Sequence, residues 1–362
     1  MRVLVIKTSS LGDVIHTLPA LTDAAQALPD VTFDWVVEEG FAEIPALHSH
    51  VDKVIPVAIR RWRKNLLKSL RSGEWRDFKK VIGEEQYSAV IDAQGLLKSA
   101  WLTRYTHGPI FGFANESAKE PLASQFYHHK VNVPKDQHAV ERTRQLFAKS
   151  LGYDIPHKVG RSGIDIAALP APETDKPYLM FFHGTTWDTK HWPEFYWKTL
   201  AQKVNEEGYR VMLPWGNEEE KARAERIADS TVGLGGRLGN SSDICVMPKT
   251  GLTGIAGWIA QAKGVVAVDT GLAHLSAALD VPTVSLYGST DPGLSGAYGK
   301  NQTHLYANYD CAPCMKRDCE YAGPKVKNQL EIAQGEYVDP PCFSSIMPNA
   351  VFDALKQQIF EV

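Results

Sequence analysis

Long apolar runs are missing: no stretch approaches the roughly eighteen uninterrupted apolar residues of a spanning helix. Before Lys7 the only apolar run is Val3–Ile6, too short for the core of a signal peptide, so cytoplasmic residence is expected. Cysteine is scarce, with five residues. That excludes a disulfide scaffold, and the thiols are expected reduced unless a metal holds some of them. An excess of charge is also missing. The net value of −3 excludes a global field for polyanions, although not a local one, and no nucleic-acid partner is expected. There is no fixed-period repeat and no low-complexity tract. No two aspartates stand at i and i+2. A D-x-D metal clamp for a nucleotide-sugar diphosphate is therefore missing, and lysine and helix amides must carry the charge of any bound diphosphate.

What is present is a globular composition, 44% apolar and 22% charged over 362 residues. This excludes disorder, collagen and coiled coil, and the length suits two domains of roughly 150–180 residues. Arg2–Lys7 reads as a buried parallel strand, and a helix pattern follows from Asp13 to Ala27. Further strands are expected at Phe33–Val37, Lys53–Val57 and Ala89–Asp92, with a helix near Phe41–Leu47. Residues 152–177, rich in Pro, Gly and Asp, read as a linker. The alternation then restarts with strands at Tyr178–Phe182, Tyr209–Leu213, Val265–Val268 and Thr283–Leu286 and a helix from about Pro193 to Glu207. Strands alternating with helices argue for parallel α/β sheets. The expected architecture is two Rossmann-like domains, 1–165 and 175–345, facing each other across a cleft. Residues 229–250 and 300–345 fit no period, and Gly233–Gly239 (GLGGRLG) lacks the spacing of a dinucleotide loop, so it reads as a flexible loop.

In open α/β sheets ligands bind beyond the carboxyl ends of strands, where helix N-termini favour anions. Three strand-to-helix loops carry suitable residues. Thr8–Asp13 (TSSLGD) offers Ser9, Ser10 and the carboxylate of Asp13, either a proton acceptor for an attacking hydroxyl or a helix N-cap. Thr185–Trp192 (TTWDTKHW) offers Thr185, Thr186 and Lys190, either a diphosphate grip or a capped loop with a surface lysine. Asp269–His274 (DTGLAH) offers Asp269, Thr270, Gly271 and His274, either the same grip or a capped helix with a polar histidine against the sheet. Residues 60–80 carry nine basic and two acidic side chains interleaved with Trp62, Trp75 and Phe78. They suit phosphates or an anionic bilayer surface, or form a solvated helix pair. Cys311, Cys314, Cys319 and Cys342 form C-x2-C-x4-C…C, whose opening pair has zinc spacing and whose remainder is irregular. No metal is expected in the chemistry, and a structural site on these four thiols is the lesser alternative. Cys245 reads as an ordinary small hydrophobe.

These loops resemble the ADP-heptose lipopolysaccharide heptosyltransferases of glycosyltransferase family 9. The matching runs include KTSSLGDVIHTLPALTDA at Lys7–Ala24, VIDAQGLLKSA at Val90–Ala100, HGTTWDTKHWP at His183–Pro193, LPWGN at Leu213–Asn217 and VDTGLAHLSAALDVPTVSLYG at Val268–Gly288, and the likeness extends over nearly the whole chain. The resemblance implies a GT-B fold and an inverting, cofactor-free transfer of L-glycero-D-manno-heptose from ADP-heptose to Kdo of Kdo2-lipid A. The donor goes to the C-terminal domain, the acceptor to the N-terminal one, and the inner membrane is met peripherally on its cytoplasmic face. A terminal helix over 346–362 is expected to pack back on the N-terminal domain. Asp13 falls on the family's proposed general base and Lys190 on a donor contact near phosphates and sugar. Thr185, Thr186, Asp269, Thr270, Gly271 and His274 fall on its donor loops, with Ser9 and Ser10 beside them, and Glu220 falls where the adenosine ribose is held. Arg60, Arg61, Arg63, Lys64 and Lys119 fall in the acceptor region. Rival readings are transfer to an already heptosylated core, an epimerase or hydrolase on the same scaffold, and a catalytically silent nucleotide-sugar module.

Overall fold

A computed structural model of the chain describes residues 1–64, 72–229, 243–330, 333 and 335–360. Its contacts divide it into two compact units, Met1–Ala168 and Leu169–Val362. In the first, six strands form one sheet: β1 (Arg2–Ile6), β2 (Thr32–Glu38), β3 (Val51–Val57), β4 (Ala89–Asp92), β5 (Ile110–Phe113) and β6 (His129–Val131). Their order is β3-β2-β1-β4-β5-β6, every pair parallel. The second unit repeats the plan with β7 (Tyr178–Phe182), β8 (Arg210–Leu213), β9 (Ile244–Val246), β10 (Gly264–Val268), β11 (Thr283–Tyr287) and β12 (Gln302–Tyr306). Read from its other edge, the order β12-β11-β10-β7-β8-β9 is the same winding, again parallel throughout.

The inner strands form where apolar, mostly β-branched residues run without interruption. Val3–Ile6 and the whole of Val265–Val268 are fully buried, as strands covered on both faces must be. β5, β6, β9 and β12 were not expected. β9 and β6 have three residues each, and β12 lies at a sheet edge with four half-buried side chains and an exposed Tyr306, so none of these three carries a readable period. The GLGGRLG loop at 233–239 lies outside the described residues.

One expectation needs correction. The helix read over Asp13–Ala27 is two helices, Leu11–Ile15 and Leu18–Ala27, with Pro19 in the first turn of the second. Proline fits a first turn because its missing N–H is not needed there, so the chain restarts rather than continues. The terminal helix, Pro348–Leu355, packs on the second unit. Val351 and Leu355, one turn apart, are fully buried in the second unit's core against the helix Glu194–Glu206 and β11. Ile359 continues that contact over Gly264, and Lys356 pairs with Glu207 at 2.9 Å.

The helix Leu18–Ala27 is anchored by a buried ion pair. Arg144, on the helix Ala139–Leu151, donates from Nε to Asp23 Oδ2 at 2.6 Å, with both side chains at most 3% exposed. A second bond to Pro156 O and contacts to Glu141 satisfy the rest of the guanidinium. Removing one partner strands the other charge in the interior. Arg144→Met should therefore cost about 3–5 kcal/mol in urea unfolding. An Asp23→Leu/Arg144→Met double variant should recover most of that loss, and a single variant as stable as wild type would refute the anchor.

Candidate functional site

Within each sheet the strand order reverses beside the first strand: β1 lies between β2 and β4, and β7 between β8 and β10. The helices on either side leave in different directions there, and the loops after these strands are open to ligand. Asp13 follows β1, and Gln94 and Lys98 follow β4. Thr185 and Lys190 follow β7, and Asp269 and His274 follow β10.

In the first unit Gln94 ties the two loops together. Its Oε1 accepts from Thr8 N at 3.0 Å and Ser9 N at 3.1 Å, while its Nε2 donates to Ser9 O at 2.6 Å. Asp13 stands at the third position of its helix, and Oδ2 accepts from Ser10 N at 2.9 Å and Ser10 Oγ at 2.8 Å. It is thus not the N-cap residue, but it does reach back to the cap position. Lys7 Nζ lies 3.7 Å from Oδ1 and donates to Ala93 O at 3.0 Å. Burial alone would raise the Asp13 pKa, but Lys7 and the two Ser10 bonds outweigh it and hold the carboxyl below the ordinary aspartate value. Lys7 is pushed the other way, down, by burial, against the pull of Asp13 and Asp92. The Asp13 side chain is still 38% exposed, so an ionised, reachable carboxylate sits at the mouth of the loop.

Ser9 and Ser10, expected among the donor contacts, both make hydrogen bonds within the first unit. Ser9 Oγ accepts from Lys98 Nζ at 3.0 Å, and Ser10 serves Asp13. Their hydrogen bonds give them a positioning role. Lys119 is exposed and contributes to the lowered pKa of Asp13. Arg60, Arg63 and Lys64 are exposed on the helix Ile59–Lys64, and Arg60 and Arg63 help depress Lys98, after burial. Arg61 pairs with Glu39 at 3.0 Å and Glu74 at 2.9 Å, which raises its pKa. Residues 65–71 of the basic segment lie outside the described residues.

In the second unit Lys190 Nζ reaches Asp269 Oδ2 at 2.6 Å, where Thr290 Oγ1 also donates at 2.7 Å. Asp269 Oδ1 faces His274 Nε2 at 3.7 Å. Burial again pushes Asp269 up, and Lys190, His274 and Thr290 together bring it below the ordinary value. A carboxylate so placed repels phosphate and orients the ammonium that attracts it. Lys190 also lies 4.4 Å from the Trp187 ring centroid, with Arg317 at 5.7 Å from the same ring. The turn that carries it is held from behind: Thr189 N donates to Arg317 O at 3.3 Å and Thr189 Oγ1 to Lys316 O at 2.6 Å.

The helix Gly271–Ala278 starts at Thr270, whose extended backbone brings no side-chain cap, so its hydroxyl does not claim the first-turn amides. Thr185 Oγ1 donates to Asp269 O at 3.2 Å, joining the loops after β7 and β10, and Thr186 is exposed beside it. His191 Nε2 donates to Thr185 O at 3.0 Å, which leaves Nδ1 to accept from Arg223 Nη1 at 3.1 Å. Burial lowers the His191 pKa, consistent with this neutral tautomer. Glu220, in the first turn of the helix Glu218–Ala228, accepts from Gly216 N at 2.7 Å and packs on Gly184.

Gln94, Lys98, Lys7, Thr290, His191 and Arg223 were not singled out from the sequence. Gln94 and Lys98 had a usable signal, because they follow a legible strand as directly as the three loops that were weighed. The four cysteines approach one another around a small cavity also lined by Thr189 and Pro340. Cys342 is buried, Cys314 half-buried, and Cys311 and Cys319 exposed. Burial and then the other three thiols push Cys342 up to about 12. Among the described residues no group of three or more His, Cys, Asp or Glu side chains is arranged to hold a metal ion.

Two parallel six-stranded Rossmann-like sheets with helices are the architecture of an α/β glycosyltransferase of the GT-B class. The model of glycosyltransferase family 9 (heptosyltransferase) matches residues 75–324, and the chain belongs to that family. It is 54% identical over 360 residues to lipopolysaccharide heptosyltransferase 1 of Pseudomonas aeruginosa, covering 99% of this chain and 98% of that one. Against lipopolysaccharide heptosyltransferase 1 of Escherichia coli K12 it is 53% identical over 304 residues, covering 83% and 92%. The solved structure of E. coli heptosyltransferase WaaC with ADP-2-deoxy-2-fluoro heptose superposes with a TM-score of 0.79 at 45% identity, covering 99% of both chains.

A Cβ on Gly184 would lie 2.7 Å from Glu220 Cδ and 2.9 Å from its Cγ. Gly184→Ala should therefore move the Glu220 carboxylate while leaving the sheet intact. If Glu220 holds a ribose, ADP affinity should fall about tenfold or more, the value of one lost charged hydrogen bond. Calorimetric titration with ADP decides it: unchanged affinity would confine Glu220 to the turn at Gly216.

Proposed function

We propose that this chain transfers L-glycero-D-manno-heptose from ADP-heptose to a Kdo hydroxyl of Kdo2-lipid A, with inversion at the anomeric carbon, in building the lipopolysaccharide inner core. The observation that carries the reading is the ionised, half-exposed Asp13 at the switch point of one sheet, matched by the Lys190 grip at the switch point of the other.

The acceptor O–H bond breaks and its proton passes to Asp13. The freed electron pair forms the bond to the anomeric carbon, and the bond from that carbon to the phosphate oxygen breaks, so ADP departs from the opposite face. Oδ2 is already occupied by Ser10, which leaves Oδ1 to meet the proton. A carboxylate of low pKa suffices, because the attacking hydroxyl becomes strongly acidic only as it bonds to an oxocarbenium-like centre. Lys190 and the first-turn amides of Gly271–Ala278 stabilise the charge gathering on the diphosphate, with Asp269 aiming the lysine. Arg60, Arg63, Lys64, Lys98 and Lys119 meet the acidic acceptor. That acceptor is lipid-borne, so the chain works peripherally at the inner membrane. Among the described residues no helix is long and apolar enough to cross it.

Asp13→Asn keeps an oxygen for the Ser10 bonds and removes only the base. Turnover with labelled ADP-heptose and Kdo2-lipid A should fall by ~10²–10⁴-fold while ADP affinity holds. Near-normal turnover removes Asp13 from the role, and transfer only to a pre-heptosylated acceptor overturns the substrate assignment.

Lys7 holds the Asp13 pKa down, so Lys7→Met should let it rise. The base works only when ionised, hence the acid limb of the kcat/KM–pH profile should move to higher pH in the variant. An acid limb that stays in place would show that Asp13 ionisation does not set it.

A further inference from the structure

Three large apolar side chains of the first unit stand out of its surface together. Leu97 is 40% exposed and Trp101 41%, one turn apart on the helix Leu97–Leu102. Leu122, at 65%, lies on the short helix Pro121–Phe126 packed against it. Leu97 N donates to Glu120 Oε2 at 2.7 Å, which seats that turn on the helix start. Nothing in the mechanism uses these three side chains.

The patch is continuous with positive charge. Trp101 stacks on Trp75 at 5.2 Å with 7° between the rings, and Trp75 meets Trp62 edge-on at 5.5 Å. Trp62 belongs to the helix that carries Arg60, Arg63 and Lys64, all exposed, and Arg104 is exposed beside Tyr105. The nearby carboxylates are spent: Glu74 on Arg61 and Trp62 Nε1, Asp77 beside Arg76, and Glu120 on Leu97 N.

We propose that Leu97, Trp101 and Leu122 are the edge by which this unit seats in an anionic bilayer, the surrounding arginines and lysines meeting lipid phosphates. This deepens the reading that the acceptor is lipid-borne and rests on it. A second copy of the chain is the poorer occupant. Three side chains fall far short of the roughly 20–30 residues a stable interface uses on each side, and a two-fold contact would set these cations against themselves. An anionic surface complements them, and tryptophan suits the interfacial depth. The seat also fits the chemistry. Lys98, one residue after Leu97, bonds Ser9 of the Asp13 loop, and the whole six-residue helix is roughly 9 Å long. The general base is thereby held a short reach from the surface where a lipid-linked sugar emerges.

The test uses the full chain with vesicles of phosphatidylcholine, with and without phosphatidylglycerol. Wild type should sediment with the anionic vesicles and weaken with salt. Leu97→Ser/Leu122→Ser should lower that partition about tenfold or more. Turnover on detergent-dispersed acceptor should stay near wild type, while turnover on vesicle-embedded acceptor falls. With brominated phosphatidylglycerol, tryptophan quenching should drop in Trp101→Phe, a variant that keeps the ring stack and the partition. Wild-type partition in the double variant overturns the proposal, as does quenching unchanged in Trp101→Phe, or a loss of self-association in place of vesicle binding. Normal vesicle behaviour without heptose transfer to either form of acceptor would instead sink the functional reading and leave the seat standing.

Discussion

A parallel sheet that is wound both ways from its first strand must leave a gap where the winding reverses. Asp13, Gln94, Lys190, Asp269 and His274 all follow strands that border such a gap. The constraint is one of hydrogen bonding and handedness, not of side-chain chemistry: right-handed crossovers from β1 and β4 run to opposite sides, and the loops between them have nothing to pack on. Both units obey it with the same strand order. The first unit places a carboxylate there, and the second places an ammonium and a helix start.

The two aspartates show how distance sets role. Both are ionised against the cost of burial, each with a lysine beside it. Asp269 touches its lysine at 2.6 Å, so the pair is spent on orientation. Asp13 stands 3.7 Å from Lys7, whose hydrogen bond goes to a backbone carbonyl instead. The field stabilises the charge without taking up the oxygen. A shorter contact would have made an ion pair like the one at Asp269.

Legibility in the sequence followed burial. β1, β4 and β7 were readable because strands covered on both faces need unbroken apolar runs, whereas β12 and the three-residue β6 and β9 have half-satisfied faces and carry no signature. Asp13, Lys190 and Asp269 were readable because small and hydroxyl residues cluster in the loops that hold them, and the family likeness supplied their roles. Gln94 and Lys98 follow an equally legible strand, but their bonding was not legible, because it depends on partners 85 and 89 residues away. The groove that the terminal helix fills in the second unit was not legible for a similar reason. The apolar face of that helix fixes that it packs, while the choice of groove belongs to Leu200 and Val204 on another helix.

The ammonium of Lys190 and the guanidinium of Arg317 both lie against the Trp187 ring, so its indole carries the electric field of two cations. Whatever draws Lys190 toward an incoming phosphate alters that field at once. A shift of either cation would change the field at this one indole, which makes Trp187, among nine tryptophans, the one that senses the position of Lys190.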